Sequence, residues 1–324
     1  MIEVAQRGLQ ILSGRSHPAL AQQIADRLNL PLGNAKLSNF ANGEISCKLE
    51  DSVRGSDVFI IQSHGGQNIN EAIMEQAIMI DAAKRASAHS ITAVCPFLGY
   101  ARQDRKASGR EPITARLVID ILAHAGADRI MSVDLHSGQI QGFFDGPFDH
   151  LIAMPILCNY IRENLPKDLV VVSPDAGRVK SAERYSSVLG SGMAIIHKQR
   201  SHEKHNTVEA KYLIGDVKGK TCVIIDDMID TAGTICAAAD LLAEKGAKQI
   251  YGLATHGVLS GPALSRIKKS AFTKVIVTDS LPLSTQAKAS RVESLPIAPL
   301  LADAIAAVFI GLSVSAIFDG QNQI

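Results

Sequence analysis

The chain has 324 residues, long enough for two domains of about 150 residues each, and its 46% apolar content can fill two cores. With 33 basic against 32 acidic residues the net charge is +1, which excludes a global basic field recruiting nucleic acid or anionic lipid. Trp is absent and aromatics are only 4%, which disfavours stacking platforms for single-stranded nucleic acid.

Short β-branched runs alternate with helical patterns along the chain. Strands are predicted at Leu9–Ser13, Val58–Gln62, Ile91–Cys95, Arg129–Val133 and Leu169–Ser173, then at Ala194–His197, Thr221–Ile225, Gln249–Ala254 and Lys274–Thr278. Helical spacing occupies Ile69–Ala86, where Ile69, Ile73, Ala77 and Ile80 recur on one face, and also Pro112–Ala125, Ile152–Asn164, Ala176–Leu189 and Ala232–Lys245. Such alternation predicts an α/β protein with mainly parallel sheets. The pattern is doubled: a strand followed by a functional-looking loop occurs at Ser132–Gln139 and again at Val223–Thr234. The expected seam is Phe148–Pro155, giving domains 1–150 and 151–324.

Cys47, Cys95, Cys158, Cys222 and Cys236 are widely spaced and form no CxxC pair, so neither a zinc site nor a disulfide framework is expected. The amino terminus shows no signal-peptide pattern. The apolar stretch Leu300–Leu312 is broken by Asp303 and too short to span a bilayer. A cytoplasmic protein without membrane or nucleic-acid partners is expected.

The most specific motif is Val223-Ile224-Ile225-Asp226-Asp227-Met228-Ile229-Asp230-Thr231-Ala232-Gly233-Thr234. An apolar strand delivers two carboxylates to its C-terminal edge, where open α/β sheets bind ligands. A small, hydroxyl-rich loop then opens a helix, whose terminal N–H groups suit a phosphate. Adjacent carboxylates can accept from sugar hydroxyls. A helix-capping role explains Asp230 alone, but neither the carboxylate pair nor the Thr231–Thr234 spacing.

This segment resembles the ribose-5-phosphate loop of the type I phosphoribosyltransferase fold. Further motifs follow the same order as in one enzyme family: Asn39–Glu44, Val53–Asp57, Gly99–Arg105, Asp134–His136, Gln139–Phe144 and Ser173–Gly177. Over about Ser13 to Phe318 the chain resembles the ribose-phosphate diphosphokinases of the phosphate-activated, bacterial-type class. The resemblance implies two tandem type I phosphoribosyltransferase-like domains, the last helix being free to pack back on the N-terminal one. It implies transfer of the β,γ-diphosphate of Mg-ATP to the anomeric hydroxyl of ribose 5-phosphate, yielding 5-phosphoribosyl 1-diphosphate and AMP.

The resemblance also implies roles. Phe40, Asn42, Gly43, Glu44, Arg102, Gln103, Asp104 and Arg105 are directed to ATP, with Phe40 as a stacking surface. His136 and Asp175 are placed at one or two Mg²⁺ ions. Asp226, Asp227, Asp230, Thr231, Ala232, Gly233, Thr234 and Arg200 are directed to ribose 5-phosphate. Lys198 and Arg200, in the polar segment His197–Asn206, become catalytic cations stabilising phosphoryl charge; from composition alone the segment reads as a hairpin tip. Ser52, Arg54, Ser313 and Ser315 match a regulatory site for activating phosphate or inhibitory ADP. A homo-oligomer is implied, a hexamer.

The sequence departs from the family pattern in places. Asn42 replaces a frequent Asp, keeping the acceptor oxygen and losing the charge. Arg178 stands where a second small residue usually follows Gly177, and Ser181-Ala182 follow where Arg is frequent. Two other enzymic or regulatory identities compete. A phosphoribosyltransferase would share Asp226–Thr234 but need no ATP motif. A non-catalytic homologue would be expected to have lost catalytic-loop residues, yet His136, Asp175, Lys198 and Arg200 are all present.

Overall fold

A computed structural model describes residues 8–66, 68–199 and 210–318. The chain divides into two α/β units. The first runs to Ile152 and takes in Ser280–Pro282 and the chain from Pro296; the second comprises Ala153–Asp279 and Leu283–Leu295.

The first unit contains β1 (Leu9–Ser13), α1 (Pro18–Arg27), β2 (Ala35–Asn39), β3 (Ile45–Leu49) and β4 (Asp57–Ile61). It continues with α2 (Ile69–Arg85), β5 (Ser90–Cys95), α3 (Thr114–Ala125), β6 (Arg129–Val133) and β7 (Phe148–Leu151). Its main sheet has the order β1-β4-β5-β6-β7 and every pairing is parallel. Strands β4 and β5 are apolar and buried on both faces, as a parallel sheet between helices requires. Strands β2 and β3 form a separate antiparallel hairpin.

The second unit contains α4 (Met154–Asn164), β8 (Leu169–Ser173), α5 (Val179–Leu189), β9 (Gly192–Gln199), β10 (Ala210–Ile214) and β11 (Thr221–Ile229). It continues with α6 (Gly233–Glu244), β12 (Gln249–Gly257), α7 (Ala263–Lys269), β13 (Lys274–Thr278), α8 (Thr285–Ala289) and β14 (Val292–Leu295). Its seven-stranded sheet has the order β10-β9-β8-β11-β12-β13-β14, antiparallel only at β10. The closing helix α9 (Ala298–Phe309) belongs to the first unit, where it packs on α1.

The fold class is the expected one, two tandem α/β units with mainly parallel sheets. Four strands fall on their predicted bounds: β1, β6, β8 and β13. Three differences bear on function. Strand β11 extends four residues beyond Ile225, so Asp226 and Asp227 lie inside it. Helix α5 starts at Val179, after a single 3₁₀ turn at Ala176–Arg178. Helix α6 is preceded by Ala232, not Asp230, as its N-cap residue. No helix among the described residues is long and apolar enough to cross a membrane.

Candidate active site

The second unit builds its site where β11 outruns a neighbour. Pairing with β8 ends at Ile224–Val172, whereas pairing with β12 continues to Ile229–Gly257. Asp226 and Asp227 therefore sit on a one-sided overhang past the C-terminal end of β8. Their carboxylates fold back along their own strand. Asp226 Oδ1 accepts from Asp227 N at 2.9 Å, and Asp227 Oδ1 accepts from Met228 N at 2.9 Å.

The residue that fills the space beyond β8 is Arg178. Its Nε lies 3.1 Å from Asp226 Oδ1, and its Nη2 lies 2.6 Å from Asp227 Oδ1. All three side chains are largely buried, at 18%, 19% and 9% exposure for Arg178, Asp226 and Asp227. Burial, and then the adjacent Asp227, push the Asp226 carboxyl up to about 8, against the opposing pull of Arg178. Two carboxylates this close behave as one titrating pair.

The chain then turns through Asp230–Gly233 into α6. Ala232 adopts φ 58°, a left-handed conformation unusual for a residue with a Cβ. No side chain caps the first turn of α6, so its leading N–H groups remain available to an anion. Thr231 and Thr234 are exposed on either side of buried Ala232. The loop after β12 and helix α7 brace this turn. Ser260 N donates to Asp230 O at 3.1 Å, and its hydroxyl donates to the Asp230 carboxylate. Arg266 Nη1 donates to Thr231 O at 2.9 Å. Neither Ser260 nor Arg266 was singled out by sequence; Ser260 lies just beyond the C-terminal end of β12 and Arg266 lies within α7.

Asp175, immediately after β8, uses Oδ1 to accept from Gly177 N at 2.8 Å, which shapes the turn carrying Arg178. Lys198 lies on β9, in register with Lys211 of β10. Arg200 lies outside the described residues, as do residues 201–209.

The first unit presents the residues directed to ATP on a hairpin tip and one loop. Phe40 opens the β2–β3 turn and is 59% exposed, the geometry a stacking surface needs. Gly43 takes φ 91°, where a Cβ would be strained. Asn42 Oδ1 accepts from Glu44 N at 3.2 Å, so the turn uses the acceptor oxygen that Asn shares with Asp. Gln103 is bound to the start of α3: its Oε1 accepts from Thr114 Oγ1 at 2.6 Å and its carbonyl from Ala115 N at 3.1 Å. Asp104 Oδ2 accepts from Gln139 Nε2 at 2.6 Å. That contact joins the Arg102–Arg105 loop to the loop carrying half-buried His136. Arg102 and Arg105 are both exposed.

A buried network stands behind this loop. His64 Nδ1 accepts from Gly99 N at 3.3 Å, so its Nε2 carries the proton toward Gln76 Oε1 at 2.7 Å. Burial holds His64 down at about 4. Gly99 needs to be glycine here, since a Cβ would come within 2.9 Å of His64 Cβ.

Ser52, Arg54 and Ser313 are exposed and Ser315 is half-buried, all in the first unit. Among the described residues no group of three or more His, Cys, Asp or Glu gathers to hold a metal. The two residues directed to Mg²⁺, His136 and Asp175, offer one nitrogen and one oxygen, and Mg²⁺ in phosphoryl transfer takes one or two protein ligands beside water and substrate phosphate. His136 is the less usual donor for such a hard ion.

Comparison with known proteins finds similar chains over nearly the whole length. Residues 9–126 match the family model described as the N-terminal domain of ribose phosphate pyrophosphokinase. Residues 210–319 match that of the phosphoribosyl synthetase-associated domain. A ribose-phosphate pyrophosphokinase of Bifidobacterium longum is 53% identical, the match covering 97% of this chain and 93% of the relative. One from Streptomyces avermitilis is 51% identical, with 98% of each chain covered. The crystal structure of phosphoribosylpyrophosphate synthetase from Mycobacterium smegmatis superposes with a TM-score of 0.89 at 51% identity. That match covers 94% of this chain and 100% of the other.

Proposed function

The chain belongs to the ribose-phosphate pyrophosphokinase family, and on that premise we propose that it transfers the β,γ-diphosphate of Mg-ATP to the anomeric hydroxyl of ribose 5-phosphate. The products are 5-phosphoribosyl 1-diphosphate and AMP, feeding nucleotide and amino-acid biosynthesis. The observation that carries the reading is the uncapped start of α6 directly following the Asp226–Asp227 pair. One strand end thus offers a phosphate cradle and a hydroxyl acceptor, the two things a pentose 5-phosphate presents.

The sugar phosphate binds at Asp230–Thr234, with Thr231 and Thr234 hydroxyls and the α6 amides as donors. Asp226 and Asp227 accept from the ring hydroxyls. Adenine stacks on Phe40, with Asn42, Gly43 and Glu44 around its edge. Arg102, Gln103, Asp104 and Arg105 surround the polyphosphate. His136 and Asp175 would hold Mg²⁺, one or two ions, which when bound neutralise phosphate charge.

The anomeric oxygen attacks the β-phosphorus; that P–O bond forms as the bond from the β-phosphorus to the α,β-bridging oxygen breaks. AMP leaves with the bridging oxygen, and the hydroxyl proton passes to solvent. Lys198 and Arg200 stabilise charge spread over the phosphoryl oxygens, because electrostatics and positioning rather than a strong base govern this chemistry. Inorganic phosphate as activator and ADP as inhibitor are assigned to Ser52, Arg54, Ser313 and Ser315. A homo-hexamer in the cytoplasm completes the reading. ATP labelled at the β-phosphorus tests it: the label should appear on the sugar with unlabelled AMP released. Labelled ADP instead would mean a simple phosphoryl transfer.

A further inference from the structure

Arg178 makes two close ion pairs in the sugar-directed site, yet no role in the reaction as described calls for it. Its guanidinium spans both carboxylates, with one nitrogen on each. Both contacts land on Oδ1, the oxygen that also accepts the backbone amide of the following residue. Each carboxylate is therefore held from two directions, by its own strand and by Arg178. The arginine is itself fixed at the start of α5 by the Asp175 turn.

We propose that Arg178 is a positioning residue of the sugar site: its guanidinium yokes Asp226 and Asp227 into one rigid acceptor for two neighbouring hydroxyls of the pentose. The inference rests on the sugar-phosphate reading above. Three physical points support it. Two adjacent, largely buried carboxylates repel each other and favour sharing a proton; burial first, and then Asp227, shift Asp226 upward in the same sense. A shared proton converts one acceptor oxygen into a donor and commits it to the other carboxylate, away from a sugar hydroxyl. A planar, always-charged fork counters both effects, and an ammonium group, being a point charge, cannot span the pair as a guanidinium does. A yoked pair should also discriminate: a sugar lacking one hydroxyl leaves one carboxylate without its donor in a buried site.

The test is calorimetric titration of the full chain with ribose 5-phosphate and with 2-deoxyribose 5-phosphate, alongside steady-state KM values, for wild type, Arg178→Gln and Arg178→Lys. Arg178→Gln should weaken ribose 5-phosphate by about 10–100-fold, the loss expected for charged hydrogen bonds. The deoxy sugar should weaken much less, so that the preference between the two collapses. Arg178→Lys should recover only part of the preference, and the KM for ATP should stay within about 3-fold, since the ion pairs that Arg178 makes are to residues directed to the sugar.

Unchanged or tighter ribose 5-phosphate binding in Arg178→Gln would overturn the proposal; tighter binding would mean that Arg178 occupies the place of the sugar. Equal losses for both sugars with a raised KM for ATP would also overturn it, marking a merely structural role. Should Arg178→Gln not fold, Arg178→Lys decides alone: weaker ribose 5-phosphate binding supports the yoke, and undiminished binding refutes it. Wild type that binds ribose 5-phosphate but forms no AMP removes the proposed reaction while leaving the yoke to be judged from binding. Wild type that binds no ribose 5-phosphate removes both.

Discussion

Arg266 reaches from α7 to donate from Nη1 to the carbonyl of Thr231 at 2.9 Å, pinning the loop that opens α6. Its guanidinium also lies 3.3 Å from where a Cβ on Gly233 would stand. The loop that is to receive the sugar phosphate is therefore held from outside by a cation 35 residues away in sequence.

This contact predicts that Arg266→Ala loosens the phosphate cradle and leaves the nucleotide site alone. A hydrogen bond from a charged donor contributes about 1.5–3 kcal/mol, or about 10–100-fold. The KM for ribose 5-phosphate should rise by that factor while the KM for ATP changes little. A rise in both, or in neither, in steady-state assays contradicts the assignment.

Asn42 allows a second separation. Asn42→Asp keeps the oxygen that accepts from Glu44 N, whereas Asn42→Ala removes it. The Asp variant should melt like the wild type. The Ala variant should lose about 0.5–1.5 kcal/mol locally and raise the KM for ATP through a displaced Phe40. An Ala variant with a wild-type KM for ATP would detach the hairpin tip from nucleotide binding.

His64 sets an acid limit. Its folded-state value lies at about 4 against an ordinary 6.5, because burial disfavours the imidazolium. Below pH 6.5 the unfolded chain binds a proton that the folded chain refuses. Stability is thus full above about 6.5 and falls as pH drops toward 4, by up to about 3 kcal/mol. Thermal melts from pH 7.5 to 4.5 should show this slope, and His64→Gln should flatten it. Equal slopes in both proteins would assign acid sensitivity elsewhere.

The sequence made the parallel-sheet alternation legible because buried strands are apolar throughout, as in β8 with its run of three valines. It missed the β2–β3 hairpin, whose strands are short, polar and partly exposed, so that neither periodicity nor an apolar run marks them. In the site, Asp226–Thr234 was legible because its chemistry lies in one contiguous segment. The contacts of Ser260, Arg266 and Arg178 were not, because each is made with a residue 30 or more positions away. For Ser260 and Arg178 the available signal was a place shortly past the ends of β12 and β8, where ligands gather in a parallel sheet; Arg266, inside α7, carried none.

With no preformed metal cluster among the described residues, Mg²⁺ should bind mainly together with the nucleotide. Titrating Mg²⁺ into protein alone should give weak binding and no rise in Tm, while chelation should abolish turnover reversibly. Tight Mg²⁺ binding without nucleotide would require a protein-built site that these residues do not form.

The most direct measurement of the central claim is product stoichiometry. Purified protein is incubated with ATP, Mg²⁺, inorganic phosphate and ribose 5-phosphate, and AMP and the diphosphorylated sugar are quantified together. One AMP should form per sugar product, and Lys198→Ala should lose about 10²–10³ in rate, by analogy with removal of one transition-state donor. No AMP despite measurable nucleotide binding would contradict it and point to a homologue that binds nucleotide without catalysing the transfer.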